Sequence, residues 1–185
     1  MRKDFGTKTW FYPQPVLIIA AYDEAGKPNA MNAAWGGVYA NDKVMLRINH
    51  AHKTTQNIIK HGAFTVAFAD VEHMVGSDYV GIVSGNDEPL KMEKSGFHTV
   101  RSNHVDAPLI EELPVAMECS LVKVNEDGNV IGKIENVSID ERVLDSEGKL
   151  DFTYFQPISF EPVHSDYRVL GEKVGNAFED GKRLK

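Results

Sequence analysis

One cysteine, Cys119, is all the thiol this chain carries. No internal disulfide can form, and a lone thiol in a domain of this size fits a reducing compartment, so the cytoplasm is the expected location. Long hydrophobic runs are also missing. The N-terminal stretch Val16 to Tyr22 falls far short of the ~20 residues of a membrane helix, and Met1-Arg2-Lys3-Asp4 leads into no signal-peptide core. No membrane partner is expected. Basic residues are in deficit, 20 against 27 acidic for a formal charge of −7, whereas a nucleic-acid binder needs a basic surplus on at least one face. Nucleic acid is therefore not an expected partner. Several catalytic signatures are absent as well: no Walker loop, no G-x-S-x-G elbow, no H-E-x-x-H and no C-x-x-C. Gly76, Gly81 and Gly85 have the wrong spacing for a dinucleotide fingerprint, and no strand-glycine-helix unit embraces them.

What remains is globular material. At 185 residues, 42% hydrophobic and 25% charged, the chain has the composition of one soluble domain with enough interior for a real core. We expect a single domain over residues 1–185.

Val16-Leu17-Ile18-Ile19-Ala20-Ala21-Tyr22 is too short for a typical helix and ends in the turn cluster Asp23 to Pro28, so it reads as a buried strand. Asn29-Ala30-Met31-Asn32-Ala33-Ala34-Trp35 then forms the second arm of a hairpin, ending at Gly36-Gly37. Lys43 to Asn49 alternates, with Val44, Leu46 and Ile48 on one face. A short helix follows, with Thr54 or Thr55 as its N-cap and Gly62 as its stop. Phe64 to Ala69 reads as a strand, and Glu72 to Val83 as one or two helical turns with Ser77 and Asp78 as candidate caps. Lys91 to Phe97 reads as a short helix stopped by Gly96. Val115–Asn125 and Val130–Ile139 form an antiparallel hairpin across Glu126-Asp127-Gly128-Asn129. Tyr154 to Phe160 and Tyr167 to Leu170 supply late extended pieces before a polar tail. Strands joined by regular turns, with short helices between, predict an antiparallel barrel or sandwich.

The chemistry concentrates between Arg47 and Gln56, where a strand's polar end, two histidines, a lysine and two threonines arrive as a helix begins. Free first-turn N–H groups and the positive end of the helix dipole attract a phosphate, and Lys53 with the threonine hydroxyls adds charge and donors. The same residues also fit a plain capped helix with a solvated lysine. His50 and His52 have no third ligand at metal spacing, so no metal site is expected. Cys119 lies in an alternating strand and reads as a packed thiol. The amide-and-alanine arm Asn29 to Ala34 differs in kind: small side chains let a flat ring approach the backbone, amides can bond a heterocycle's edge, and the Trp35 indole offers an apolar wall. Trp35 equally fits an ordinary core position.

Pro15-Val16-Leu17-Ile18-Ile19 followed by Gly26-Lys27-Pro28-Asn29-Ala30-Met31-Asn32-Ala33-Ala34-Trp35 resembles the opening motif of the flavin reductase-like, FMN-binding split-barrel family, in particular its flavoredoxin branch. His52-Lys53-Thr54-Thr55-Gln56-Asn57-Ile58 is similar to that branch's phosphate loop, and Lys91 to Phe97 to its lysine-bearing helix. Ala107 to Glu112 with Glu118-Cys119 resembles its mid-chain strand, and Tyr167-Arg168-Val169-Leu170-Gly171-Glu172 its ending. These blocks span about residues 15–172 in order.

The resemblance implies a mainly β fold with short helices, an antiparallel split β-barrel that forms a homodimer with FMN at the interface. It implies that Asn32, Ala33, Ala34 and Trp35 lie along the isoalloxazine, that Asn49, His52, Lys53, Thr54 and Thr55 hold the ribityl chain and phosphate, and that Lys91 adds a second cation. Electrons or hydride would come from NADH, NADPH or a redox partner protein, the flavin doing the chemistry with no residue acting as acid or base. A non-catalytic flavin store or sensor is the alternative. Two departures stand out: Leu90 occupies a place that is usually acidic in the family, and Asp127-Gly128-Asn129 replaces a histidine that many flavin reductases carry near the nicotinamide.

Overall fold

The computed structural model describes residues 1–185. Its strands are β1 (Gln14–Pro15), β2 (Leu17–Tyr22), β3 (Pro28–Ala33), β4 (Gly36–Ala40), β5 (Lys43–Arg47), β6 (Ala63–Phe68), β7 (Thr99–Arg101), β8 (Pro108–Ile110), β9 (Val115–Val124), β10 (Asn129–Ile139), β11 (Ile158–Glu161) and β12 (Asp166–Val169). Three α-helices intervene: α1 (Lys53–His61), α2 (Met74–Ile82) and α3 (Lys91–Ser95). Seven strands form one curled antiparallel sheet in the order β3-β2-β6-β9-β10-β5-β4, while β1, β11 and β12 make a second sheet and β7 pairs with β8.

The apolar run of β2 is explained by burial on both faces. Leu17, Ile19 and Ala21 pack with Met31, Leu46, Ile58, Phe64 and Val130 on one side of the sheet. On the other, Ile18 and Ala20 join Val16, Ala30, Val80, Met92, Phe97 and Ile110, which brings in α2 and α3. A strand covered twice has no polar face to show, so alternation disappears. β5 keeps its alternation, with Val44, Leu46 and neighbouring Ile48 all buried.

Curvature is concentrated in the β9–β10 hairpin, whose register shifts twice, at Ile131/Gly132 and at Ile134/Asn136. Gly132 has no room for a side chain, because the Phe64 ring occupies the place of a Cβ. The sheet thus closes over Phe64 as a half-barrel. Cys119 is fully buried there, and burial, then the Glu135 and Glu118 charges, pushes its thiol up to about 12, so it packs as a neutral apolar group.

The expected mainly β, antiparallel architecture is the observed one, with local corrections. Neither threonine caps α1: His52 holds the N-cap position without a side-chain bond, and Thr54 and Thr55 sit in the first turn, buried. Glu72 to Val83 holds one continuous helix with Ser77 and Asp78 inside it, capped by neither. The second hairpin arm stops at Ala33, and Gly36-Gly37 opens β4 instead of ending β3. From Tyr154 the chain turns until β11 begins at Ile158.

Candidate functional site

β3 leaves the sheet edge with small side chains, and the next residues line a cavity of about 480 Å³. Asn32, Ala33, Ala34 and Trp35 form one wall; Arg47, Asn49, His50 and His52 form the other. Alanines let a flat molecule lie close to the strand backbone. Trp35 is 52% exposed, so its indole is a wall of this cavity and not part of the core. The β9–β10 turn reaches the same region: Gly128, at φ 79°, passes the Arg47 and His50 side chains, and Arg47 donates to the Asp127 carbonyl.

Met31, Asn32 and His52 are shared with a second chamber of about 210 Å³, where the cationic groups lie. Lys53 and Thr54 from the first turn of α1 line it, together with Lys91 at the start of α3. Because α1 begins without a side-chain cap, its first amides are left for an external acceptor. Asn29 donates to Thr54 Oγ1 at 2.6 Å. A hydroxyl that receives this bond keeps its own proton free to donate outward.

Lys91 is 4% exposed, yet no carboxylate or carbonyl of the chain pairs with its ammonium. Burial pushes it down to about 8. Lys53 has Asp23 at 3.7 Å, a partly exposed pair. The chamber's roof is the end of α2, and it sits unusually close to β3. A Cβ on Gly81 would stand 2.9 Å from that of Asn32, and one on Gly85 would collide with the Asn29 carboxamide. Two buried or half-buried cations, a directed hydroxyl and an open helix N-terminus have the chemistry to hold a phosphate-sized anion.

A family model described as the flavin reductase like domain matches residues 9–164. The chain belongs to that family. The structure superposes on the flavoredoxin of Desulfovibrio vulgaris (Miyazaki F) with a TM-score of 0.93 at 34% identity, covering 98% of this chain and 100% of that one. The flavoredoxin of Methanosarcina acetivorans is similar at TM-score 0.89 and 28% identity, with both chains fully covered. A protein of Archaeoglobus fulgidus is 30% identical over 156 residues, 82% of this chain and 86% of its own. The curled seven-stranded sheet is thus the flavin reductase-like split barrel that the motifs implied.

Of the nominated residues, Asn32, Ala33, Ala34, Trp35, Asn49 and His52 meet in the larger chamber, and His52, Lys53, Thr54 and Lys91 in the smaller. Thr55 stands apart. It is fully buried, lines neither chamber, and its hydroxyl has no partner. Several wall residues escaped the sequence reading. Arg47 and His50 were in view as part of a polar strand end, but nothing in their spacing said that both would face the ring-sized cavity. Gly81 and Gly85 gave a visible signal that pointed elsewhere, since their spacing is judged against a dinucleotide loop and their real use is close approach to β3. His164, Glu161 and Asp166 bring ligand atoms within 4.8 Å of one another at the β11–β12 turn. Glu161 there already accepts from the Val163 and His164 amides and from the His164 ring.

Proposed function

We propose that this chain is an FMN-binding redox protein of the flavoredoxin kind, with the ring in the larger chamber and the phosphate in the smaller. The observation that carries this reading is Lys91: a buried ammonium without a counter-charge is costly, and a phosphate dianion beside the open start of α1 would supply one. Thr54 Oγ1, set as a donor by Asn29, and Lys53 would complete the phosphate's contacts, while Asn49 and His52 stand where the ribityl chain would pass. When bound, FMN supplies hydride and electron transfer at its ring. The chain's own residues bind it, orient it and shield one of its faces. Electrons would come from a reduced nicotinamide, NADH or NADPH, or from a protein donor.

The same reading takes the working form to be a homodimer. Trp35, Val38 and Tyr39 stand exposed in succession on and beside the edge strand β4, next to the larger chamber. An exposed apolar edge strand is a ready surface for a second chain to cover.

The test is optical. The protein with FMN should show flavin bands near ~370 and ~450 nm whose position and fluorescence differ from free FMN. Steady oxidation of NADH or NADPH with added flavin would assign a reductase, and reduction only by a protein donor a carrier. A protein that leaves the FMN spectrum and fluorescence unchanged contradicts the reading.

A further inference from the structure

Tyr167 opens the Tyr167-Arg168-Val169-Leu170-Gly171 segment, and the FMN reading gives it no task. Its hydroxyl nevertheless reaches Asn32, a residue that lines both chambers. It donates to Asp78 Oδ1 at 2.7 Å, and Asn32 Nδ2 approaches the same hydroxyl at 3.5 Å and the Ser77 carbonyl at 3.0 Å. A phenol that gives its single proton to a carboxylate can only accept from a third group, so the contact with Asn32 has one sense. One amide hydrogen of Asn32 is thus held by the Ser77 carbonyl, and the other is directed at the Tyr167 hydroxyl. The side chain has little freedom to swing, because α2 passes so close at Gly81 that a Cβ there would stand 2.9 Å from the Asn32 Cβ. Asn32 Oδ1 meets no donor of the chain, and the residue lines both chambers. Burial, then the bond to Asp78 and its charge, pushes Tyr167 up to about 12, so the hydroxyl keeps its proton at neutral pH.

We propose that Tyr167, held by Asp78, is a positioning residue that locks the Asn32 carboxamide with its nitrogen inward and its oxygen toward the groove, presenting a fixed hydrogen-bond acceptor to the bound ring. This rests on the FMN reading. The oxidised isoalloxazine has one N–H, at N3; uptake of two electrons and two protons adds N–H groups at N1 and N5, where the oxidised ring has lone pairs. A fixed acceptor opposite N1 or N5 therefore favours the reduced cofactor, and it is there that the proposal puts the Asn32 oxygen. A carboxamide free to turn would serve either state.

The experiment compares wild type, Tyr167→Phe, which removes only the hydroxyl, and Asp78→Asn, which keeps a carbonyl to accept from it. Affinities are measured for oxidised FMN and for FMN reduced with dithionite. Tyr167→Phe should weaken the reduced form relative to the oxidised by about tenfold, equivalent to a two-electron potential lower by ~30 mV, while Asp78→Asn keeps the wild-type ratio. In the protein without flavin, NMR should show the Asn32 amide protons protected from exchange in wild type, and in Tyr167→Phe the proton that faces the lost hydroxyl should lose that protection. Equal losses for both redox states, an unchanged ratio, or a freely exchanging Asn32 amide in wild type would each overturn the proposal. Failure of wild type to take up FMN would refute the FMN reading instead, and the exchange measurement would still decide whether the lock exists.

Discussion

A buried lysine without a counter-charge sets up opposing demands on stability and binding. The folded-state value of Lys91 is lowered from 10.5 to about 8, so between those limits the unfolded chain holds the extra proton. Stability without ligand should therefore rise with pH across that window, and the cost of the ammonium is fully present below about 8. Lys91→Met should then stabilise the flavin-free protein at pH 7, by up to about 3 kcal/mol, while weakening FMN binding; thermal melts with and without FMN check both signs. Above pH 8 the lysine must take up a proton to meet the phosphate, so FMN affinity should fall by up to about tenfold per pH unit. In Lys91→Met that slope should vanish. Trp35 is tested by light: Trp35→Phe keeps most of the wall but removes the better electron donor, so bound-flavin fluorescence should rise with little change in affinity. Unchanged fluorescence with FMN still bound would put the indole away from the ring.

Elements meet at two glycines that carry the groove's shape. Gly85→Ala would drive a methyl group into the Asn29 carboxamide, turning it from Thr54 and lifting the loop from β3. We expect a loss of about 1–3 kcal/mol of stability and a larger loss of FMN than of riboflavin affinity, read by paired titrations. Equal losses would show that this contact shapes the fold and not the phosphate chamber. The elements themselves were unevenly legible in the sequence. β2, β5, β6 and the β9–β10 hairpin declared themselves because burial on one or two faces writes directly into residue pattern. β1, β7 and β8 have two or three residues each, too few to carry a period. β4 is exposed from Gly37 to Ala40, and only Gly36 packs inward, against Leu17 and Leu46, so its Gly-Gly-Val-Tyr-Ala sequence shows no alternation. The start of α1 misled for a related reason: threonines there look like caps, but an uncapped N-terminus and buried threonines leave the same letters. The lysines and small residues of the groove were nameable from motif, whereas its closure by α2 depended on contacts between residues 45 or more positions apart.

At the scale of the whole molecule, the larger chamber shares Trp35 with an exposed edge on which Val38 and Tyr39 also face solvent. Sedimentation of the FMN-bound form should give a particle of twice the 20.6 kDa chain, and Val38→Glu, on a residue 85% exposed in the single chain, should shift it toward monomer. A tightly FMN-loaded monomer would oppose the interface. The central claim is narrower: one end of the groove is built for a phosphate. Calorimetric titration of flavin-free protein with FMN and, separately, with riboflavin isolates that end, since the two ligands differ only there. Charge-assisted bonds from Lys91, Lys53, Thr54 and the first amides of α1 predict FMN tighter by on the order of a hundredfold. Equal affinities for FMN and riboflavin, or binding of neither, would contradict the account.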